Sequence, residues 1–175
     1  MPWLPSVGDV PAGAFLRKYQ DGKAFADCYV TEVPGTITQR AFVEAFYTTS
    51  LFKVERRILQ WFAARPSTDA EARQLAAGET GSFAAWRVED RSAQQLLLSD
   101  FTGRTRSWLM TVPSGAGPHA RTRLYFGSAV VPRTDRRSGR RQLGFAFEAL
   151  LGFHRLYSRL LLKSARLRVL SMQAR

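Results

Sequence analysis

A chain of 175 residues with a single cysteine, Cys28, cannot form an intramolecular disulfide or a cysteine-based metal site, and its two histidines exclude a histidine-rich one. With 45% hydrophobic residues it can build one ordinary core, and a chain of this length buries about 70% of its unfolded surface. The net charge of +12 predicts attraction to polyanions. All but four of the 26 basic residues are arginine, a bias that genome composition also produces.

Residues 1–23 carry Pro2, Pro5, Gly8 and Pro11 with little periodicity, and read as an irregular lead-in with a short strand near Ala14–Tyr19. No basic stretch followed by an apolar run opens the chain, so no secretory signal is expected. No apolar run reaches the ~18 residues of a membrane span. A cytoplasmic protein is the resulting expectation. From Ala24 the run AFADCYVTEV reads as a strand stopped at Pro34-Gly35. Thr38 then N-caps a helix through Thr49, and Ser50 caps a second over LFKVERRILQWFA, which ends before Pro66. Thr68 and Glu71 make a capping box for a third helix, Asp69–Ala77, closed by Gly78.

The next segments, FAAWRVED, QQLLLSDF, RTRSWLMTV and RTRLYFGSAVV, are joined by RSA, TG and PSGAGPHA, which suits consecutive antiparallel hairpins. Centring each turn sets Trp86 opposite Leu98, Leu98 opposite Ser107 and Leu96 opposite Leu109. It also sets Leu109 opposite Leu124 and Ser107 opposite Phe126. Alternate residues share a face. One face collects Ala84, Trp86, Val88, Leu96, Leu98, Asp100, Thr105, Ser107, Leu109, Leu124, Phe126, Ser128 and Val130, with Asp100 its one formal charge. The other holds Arg87, Glu89, Arg104, Arg106, Trp108, Met110, Arg121, Arg123 and Tyr125, with six. The first is expected to face the core.

After Pro132 the loop RTDRRSGRR leads into one long helix over Leu143–Leu170. Glu148, Gly152, Arg155, Arg159, Lys163 and Arg166 recur every three or four residues and form a polar stripe, expected to face solvent. The remaining arc, which includes Phe145, Leu150, Phe153, Leu156, Tyr157, Leu160 and Leu162, is wider than a surface helix needs. The inner sheet face is the partner that covers it. No internal repeat or second-domain linker is present, so residues 24–170 read as a single domain.

This order of strand, helices, antiparallel strands and one long C-terminal helix resembles the START-like, helix-grip superfamily of polyketide cyclases, plant pathogenesis-related lipid binders and lipid-transfer domains. AFYTTSLFKVERRIL, FAAWRVED, FTGRTRSWLM, TRLYFGSAVVP and GFHRLYSRLLL resemble segments of small uncharacterised bacterial proteins of that group. The resemblance spans residues 24–170 and implies an α+β fold. A curved antiparallel sheet would grip the C-terminal helix, with two to three short helices after the first strand and an apolar cavity between sheet and helix. The family usually has six or seven strands, so one or two more are expected from the N-terminal segment or the arginine-rich loop.

A small apolar or amphipathic ligand is then the expected partner. Trp86, Leu98, Ser107, Phe126, Ser128, His154 and Tyr157 are the residues expected to line its site. The same residues also suit a filled core. Asp100, His154 and Tyr157 are the candidates for acid–base chemistry of a cyclase or isomerase, since imidazole exchanges protons near neutral pH. Asp100 equally suits bonding the backbone of the turn it begins, and His154 equally suits a helix flank. Arg133, Arg136, Arg137, Arg140 and Arg141 can hold phosphate or lipid headgroups. Nucleic acid is a lesser alternative, resting on Trp108 and Tyr125 among the arginines of the outer face. Nothing in the chain calls for a cofactor or a metal; glycine loops with a phosphate-binding lysine and nucleophile elbows are absent.

Overall fold

The computed structural model describes residues 4–21, 24–54, 67–131, 133–134, 141–142 and 145–174, the side chains of 21, 133–134, 141–142 and 145–153 excepted. In chain order the elements are β1 (Ser6–Val7), α1 (Arg17–Asp21), β2 (Phe25–Pro34), α2 (Gln39–Tyr47), a helical stretch at 50–54 and α3 (Asp69–Ala77). Then come β3 (Ser82–Phe83), β4 (Trp86–Arg91), β5 (Gln95–Asp100), β6 (Thr105–Ser114) and β7 (Arg121–Val130). A separate ribbon of β8 (Arg133–Thr134) and β9 (Arg141–Gln142) precedes the terminal helix α4 (Phe145–Gln173). The fold is α+β. Its seven-stranded sheet is antiparallel and open, in the order β1-β2-β7-β6-β5-β4-β3.

The N-terminal segment contributes one of the additional strands, β1, while the arginine-rich stretch forms its own ribbon instead of joining the sheet. The strand expected near Ala14–Tyr19 is a turn and the short helix α1. The segment FAAWRVED is also not one strand. Ala84, at φ 52°, turns the chain between Phe83 and Trp86, which pair with each other.

Local capping sets the helices. Thr38 Oγ1 accepts from the Ala41 N–H, and Thr68 makes a complete capping box with Glu71. Gly78 closes α3 in the left-handed conformation. Arg91 adds a bond from Nη1 to the Leu75 carbonyl, which also accepts from the Gly78 N–H. Thr49, rather than Ser50, caps the stretch at 50–54, because its Oγ1 accepts from the Phe52 N–H. The part of that helix expected beyond Val54 lies outside the described residues.

Pairing follows the expected register at one hairpin and departs by two residues at the others. Leu98 faces Ser107 and Leu96 faces Leu109, because Thr102 and Gly103 sit in the tight turn after Asp100. Across β6 and β7, however, Leu109 faces Phe126 and Ser107 faces Ser128. Strand pairing runs on through Pro113 to Ser114↔Arg121, so the loop is shorter than PSGAGPHA. Trp86 faces Asp100, and the register shifts between Val88 and Asp90, leaving Glu89 as a bulge. Each slip of two keeps side chains on their face. The bulge does not, and it swings Arg91 to the inner side.

The inner face packs Tyr29, Val33, Leu96, Leu98, Leu109, Leu124 and Phe126 against α2, α3 and α4. From α4 this core takes Leu161, Leu162, Ala165 and Val169. The outer face is covered too. Val10, Ala14 and Leu16 from the N-terminal segment seal Cys28, Leu97, Trp108, Tyr125 and Ala129 beneath them. Trp108 is fully buried, its Nε1 donating to Gln95 Oε1 at 3.0 Å. The outer face therefore does not present Trp108 and Tyr125 as exposed aromatics: a second, smaller core replaces the expected solvent face.

Arg155 of the polar stripe is exposed as expected, but two other members of it have a different role. Arg159 Nε donates to the Pro5 carbonyl at 2.8 Å, and Arg166 Nε to the Glu32 carbonyl at 3.3 Å. These arginines clip the helix along the β1–β2 edge. Leu156, on the arc expected to be covered, is about half exposed, and so is Leu167 further along the helix. The arc is wider than the sheet that packs on it.

Candidate functional site

β2 alternates, and its inward residues include Asp27 and Tyr29. Asp27 pairs with Ser128 on β7, Ser128 with Ser107 on β6, and Ser107 with Leu98 on β5. One row across the inner face thus reads Leu98, Ser107, Ser128, Asp27. Three polar side chains are thus neighbours in one row of the inner face, and two further elements reach onto them. α2 brings the Tyr47 hydroxyl to 3.2 Å from Ser107 Oγ, and α4 brings His154 Nε2 to 2.8 Å from Ser128 Oγ.

Asp27 is the hub. Its Oδ1 accepts from the Ser128 hydroxyl at 2.6 Å and the Ser128 N–H at 3.1 Å. Its Oδ2 accepts from the Tyr29 hydroxyl at 3.0 Å and lies 3.4 Å from His154 Nε2. The Asp27 side chain is only 9% exposed, against 33% for His154. Burial pushes the Asp27 carboxyl up, but the bonds from His154 and Ser128, the nearby imidazole and the Tyr29 bond outweigh it. The group is held below the usual Asp range. Tyr29 moves the other way: burial first, then the Asp27 charge and its bond to Asp27, raise the phenol well above its ordinary value, while Arg155 and Arg159 oppose the rise.

Ser158 Oγ on α4, Trp86 Nε1 and Arg91 Nη2 on β4, and Gln39 Oε1 on α2 are buried polar atoms that have no hydrogen-bond partner among the described residues. Ser158 is one helical turn beyond His154, on the same face, and is 1% exposed. Gln39 is half satisfied, since its Nε2 donates to the Leu109 carbonyl at 3.1 Å.

The expected lining residues therefore separate into groups. Leu98, Ser107, Ser128 and His154 come together at the Asp27 row. Phe126 is buried one step along, its ring 4.8 Å from that of Phe46, and Tyr157 packs at the margin of the same core. Trp86 lies at the far side of the sheet, opposite Asp100. Asp100 is tied into its turn: Oδ1 accepts from the N–H groups of Arg104 and Thr105, and Oδ2 from the Thr102 hydroxyl. Its own burial would raise the carboxyl, yet these bonds hold it below the ordinary value. Arg133 and Arg141 stand in the β8–β9 ribbon; their side chains, and Arg136, Arg137 and Arg140 entirely, lie outside the described residues.

Asp27 and Tyr29 are the residues that reading the sequence missed. A signal was present, since Asp is depleted in strands and its place within AFADCYVTEV calls for a specific partner. The partner, Ser128, lies 101 positions away and depends on which strand closes on β2.

Elsewhere, a groove of about 250 Å³ runs along the β1–β2 edge, lined by Leu4, Pro5, Val30, Glu32 and Arg123. Glu32 pairs there with Arg121 and Arg123 at 3.4 and 3.7 Å. Among the described residues no group of three or more His, Cys, Asp or Glu is placed to hold a metal ion, and no helix is long and apolar enough to cross a membrane. No protein-family model and no curated protein matches the chain.

Proposed function

We propose that this is a binding protein of the START-like, helix-grip type, which holds a small apolar or amphipathic molecule between the inner sheet face and α4. The observation that carries this reading is a set of buried polar atoms without a hydrogen-bond partner among the described residues, on three elements that contribute to one core: Ser158 Oγ, Trp86 Nε1 and Gln39 Oε1. A buried polar group without a partner costs about 1–3 kcal/mol, and folded proteins leave few of them. A bound molecule with a few polar atoms answers that cost. The strand order, in which β2 closes on β7 and the long helix packs over both, supports the helix-grip assignment.

Native mass spectrometry of protein purified without organic solvent tests the reading. The expected result is a bound species of a few hundred daltons that leaves on collisional activation and is missing from Ser158→Phe, which places a bulky ring where the unpartnered hydroxyl stands. A bare polypeptide mass, with no thermal shift on adding C8–C16 alcohols, acids or alkylphenols, overturns it.

A second reading is proton transfer of the cyclase or isomerase kind in the same interior. It is supported by the contacts of His154 with Ser128 and the Asp27 carboxylate, which hold one imidazole nitrogen and leave the other available.

A further inference from the structure

The protons around Asp27 can be placed by counting donors. An ionised carboxylate only accepts, so the 2.6 Å contact between Ser128 Oγ and Asp27 Oδ1 uses the one proton of the Ser128 hydroxyl. With that proton committed, the 2.8 Å contact between Ser128 Oγ and His154 Nε2 is attractive only if Nε2 carries a hydrogen. The second neighbour of Nε2, Asp27 Oδ2 at 3.4 Å, is also an acceptor and requires the same tautomer. In the neutral ring the lone pair therefore resides on Nδ1, which makes no hydrogen bond to any described residue.

Two further features describe the surroundings of the imidazole. His154 is one-third exposed where Asp27 is not, so the imidazole is the accessible member of the cluster. Arg155 and Arg159 act on the Tyr29 phenol within the cluster, so positive charge lies close by. A hydroxyl that gains negative charge as it donates suits this setting. A phenol or enol does so more than an alkyl alcohol. A carboxylic acid, already ionised at neutral pH, has no proton to offer Nδ1.

We propose that His154 is the polar anchor of the ligand site, its Nδ1 accepting a hydrogen bond from the phenolic or enolic hydroxyl of an otherwise apolar molecule lying between the sheet and α4. This rests on the ligand-binding reading above and adds to it the direction of the polar contact: the ligand donates and the protein accepts. The unpartnered Ser158 Oγ, one turn along the same helix face, is the second group available to the same end of the ligand.

Two measurements on the intact protein test the proposal. Long-range ¹H–¹⁵N correlation spectra resolve the tautomer, with only His119 and His154 to distinguish. The expected result is a proton-bearing Nε2 and a bare Nδ1 on His154; the opposite tautomer overturns the proposal. Calorimetric titration then compares 4-octylphenol with its methyl ether, 4-octylanisole. The phenol is expected to bind at least about tenfold more tightly, the range of one hydrogen bond made in a desolvated site. His154→Phe is expected to abolish that preference. If both compounds bind the wild type equally well, the anchor is wrong while the ligand-binding reading stands. If neither binds a protein whose circular dichroism shows it folded, the ligand-binding reading fails and takes the anchor with it.

Discussion

Asp27 ties two strands and the terminal helix together through four donor contacts on one carboxylate. Asp27→Ala removes the acceptor of the Ser128 hydroxyl, the Ser128 N–H and the buried Tyr29 hydroxyl. Unpairing of this kind costs about 3 kcal/mol, a large share of the ~5–15 kcal/mol that holds a typical domain together. Urea unfolding at neutral pH measures it, and a loss under about 1 kcal/mol would show the contacts to be incidental. The pH dependence follows from the direction of the shift. The folded carboxyl ionises below its unfolded counterpart, so its contribution is complete above the ordinary Asp pKa. It is lost as the pH falls from that value through the lower folded one. Wild type is expected to lose more stability than Asp27→Asn across that acid window, and parallel stability–pH curves would contradict this.

At the scale of elements, the caps act locally and the sheet contacts act at a distance. Thr68 both accepts from the Glu71 N–H and receives the Glu71 carboxylate on its own N–H. Thr68→Ala is expected to cost about 1 kcal/mol, read as a lower urea midpoint with an unchanged slope. Gly127 on β7 is a different case. A methyl group there would lie 2.6 Å from Leu16 Cδ2, 2.8 Å from the Asp27 carbonyl oxygen and 3.0 Å from the Trp108 ring. The missing side chain is what lets the N-terminal segment seat on Trp108. Gly127→Ala is expected to cost about 1–3 kcal/mol by overpacking, and a neutral result would mean that Leu16 moves aside freely.

Across the whole molecule, the sheet is buried on both faces by parts of the chain that lie far apart in sequence. Residues 8–19 cover one side, and α2, α3 and α4 cover the other. The N-terminal segment is therefore a structural layer. Leu16, fully buried against that outer face, makes the point testable. Leu16→Ala is expected to cost about 2–5 kcal/mol, the range of a buried leucine truncation. An effect within 0.5 kcal/mol, the range of surface substitutions, would show the segment to be loosely applied.

The local part of this fold follows from short stretches of the chain alone. The Thr38 and Thr68 caps, the stop at Gly78, the Leu98–Ser107 hairpin and the parity that turns Leu96, Leu98, Leu109, Leu124 and Phe126 inward all depend on residues within a few positions of each other. Backbone geometry of period 2 or 3.6 carries that information directly. Parity also survived the two-residue slips in register, because only an odd shift exchanges the faces of a strand. The tertiary structure decided everything that required knowing which distant segments meet. It placed residues 8–19 over Trp108 and turned Arg159 and Arg166 into clips on the sheet edge. Above all it brought β2 beside β7, and so set Asp27 against Ser128 and His154. No periodicity encodes that encounter, because contacts separated by 101 and 26 positions follow from strand order and helix docking, not from the residues' own spacing.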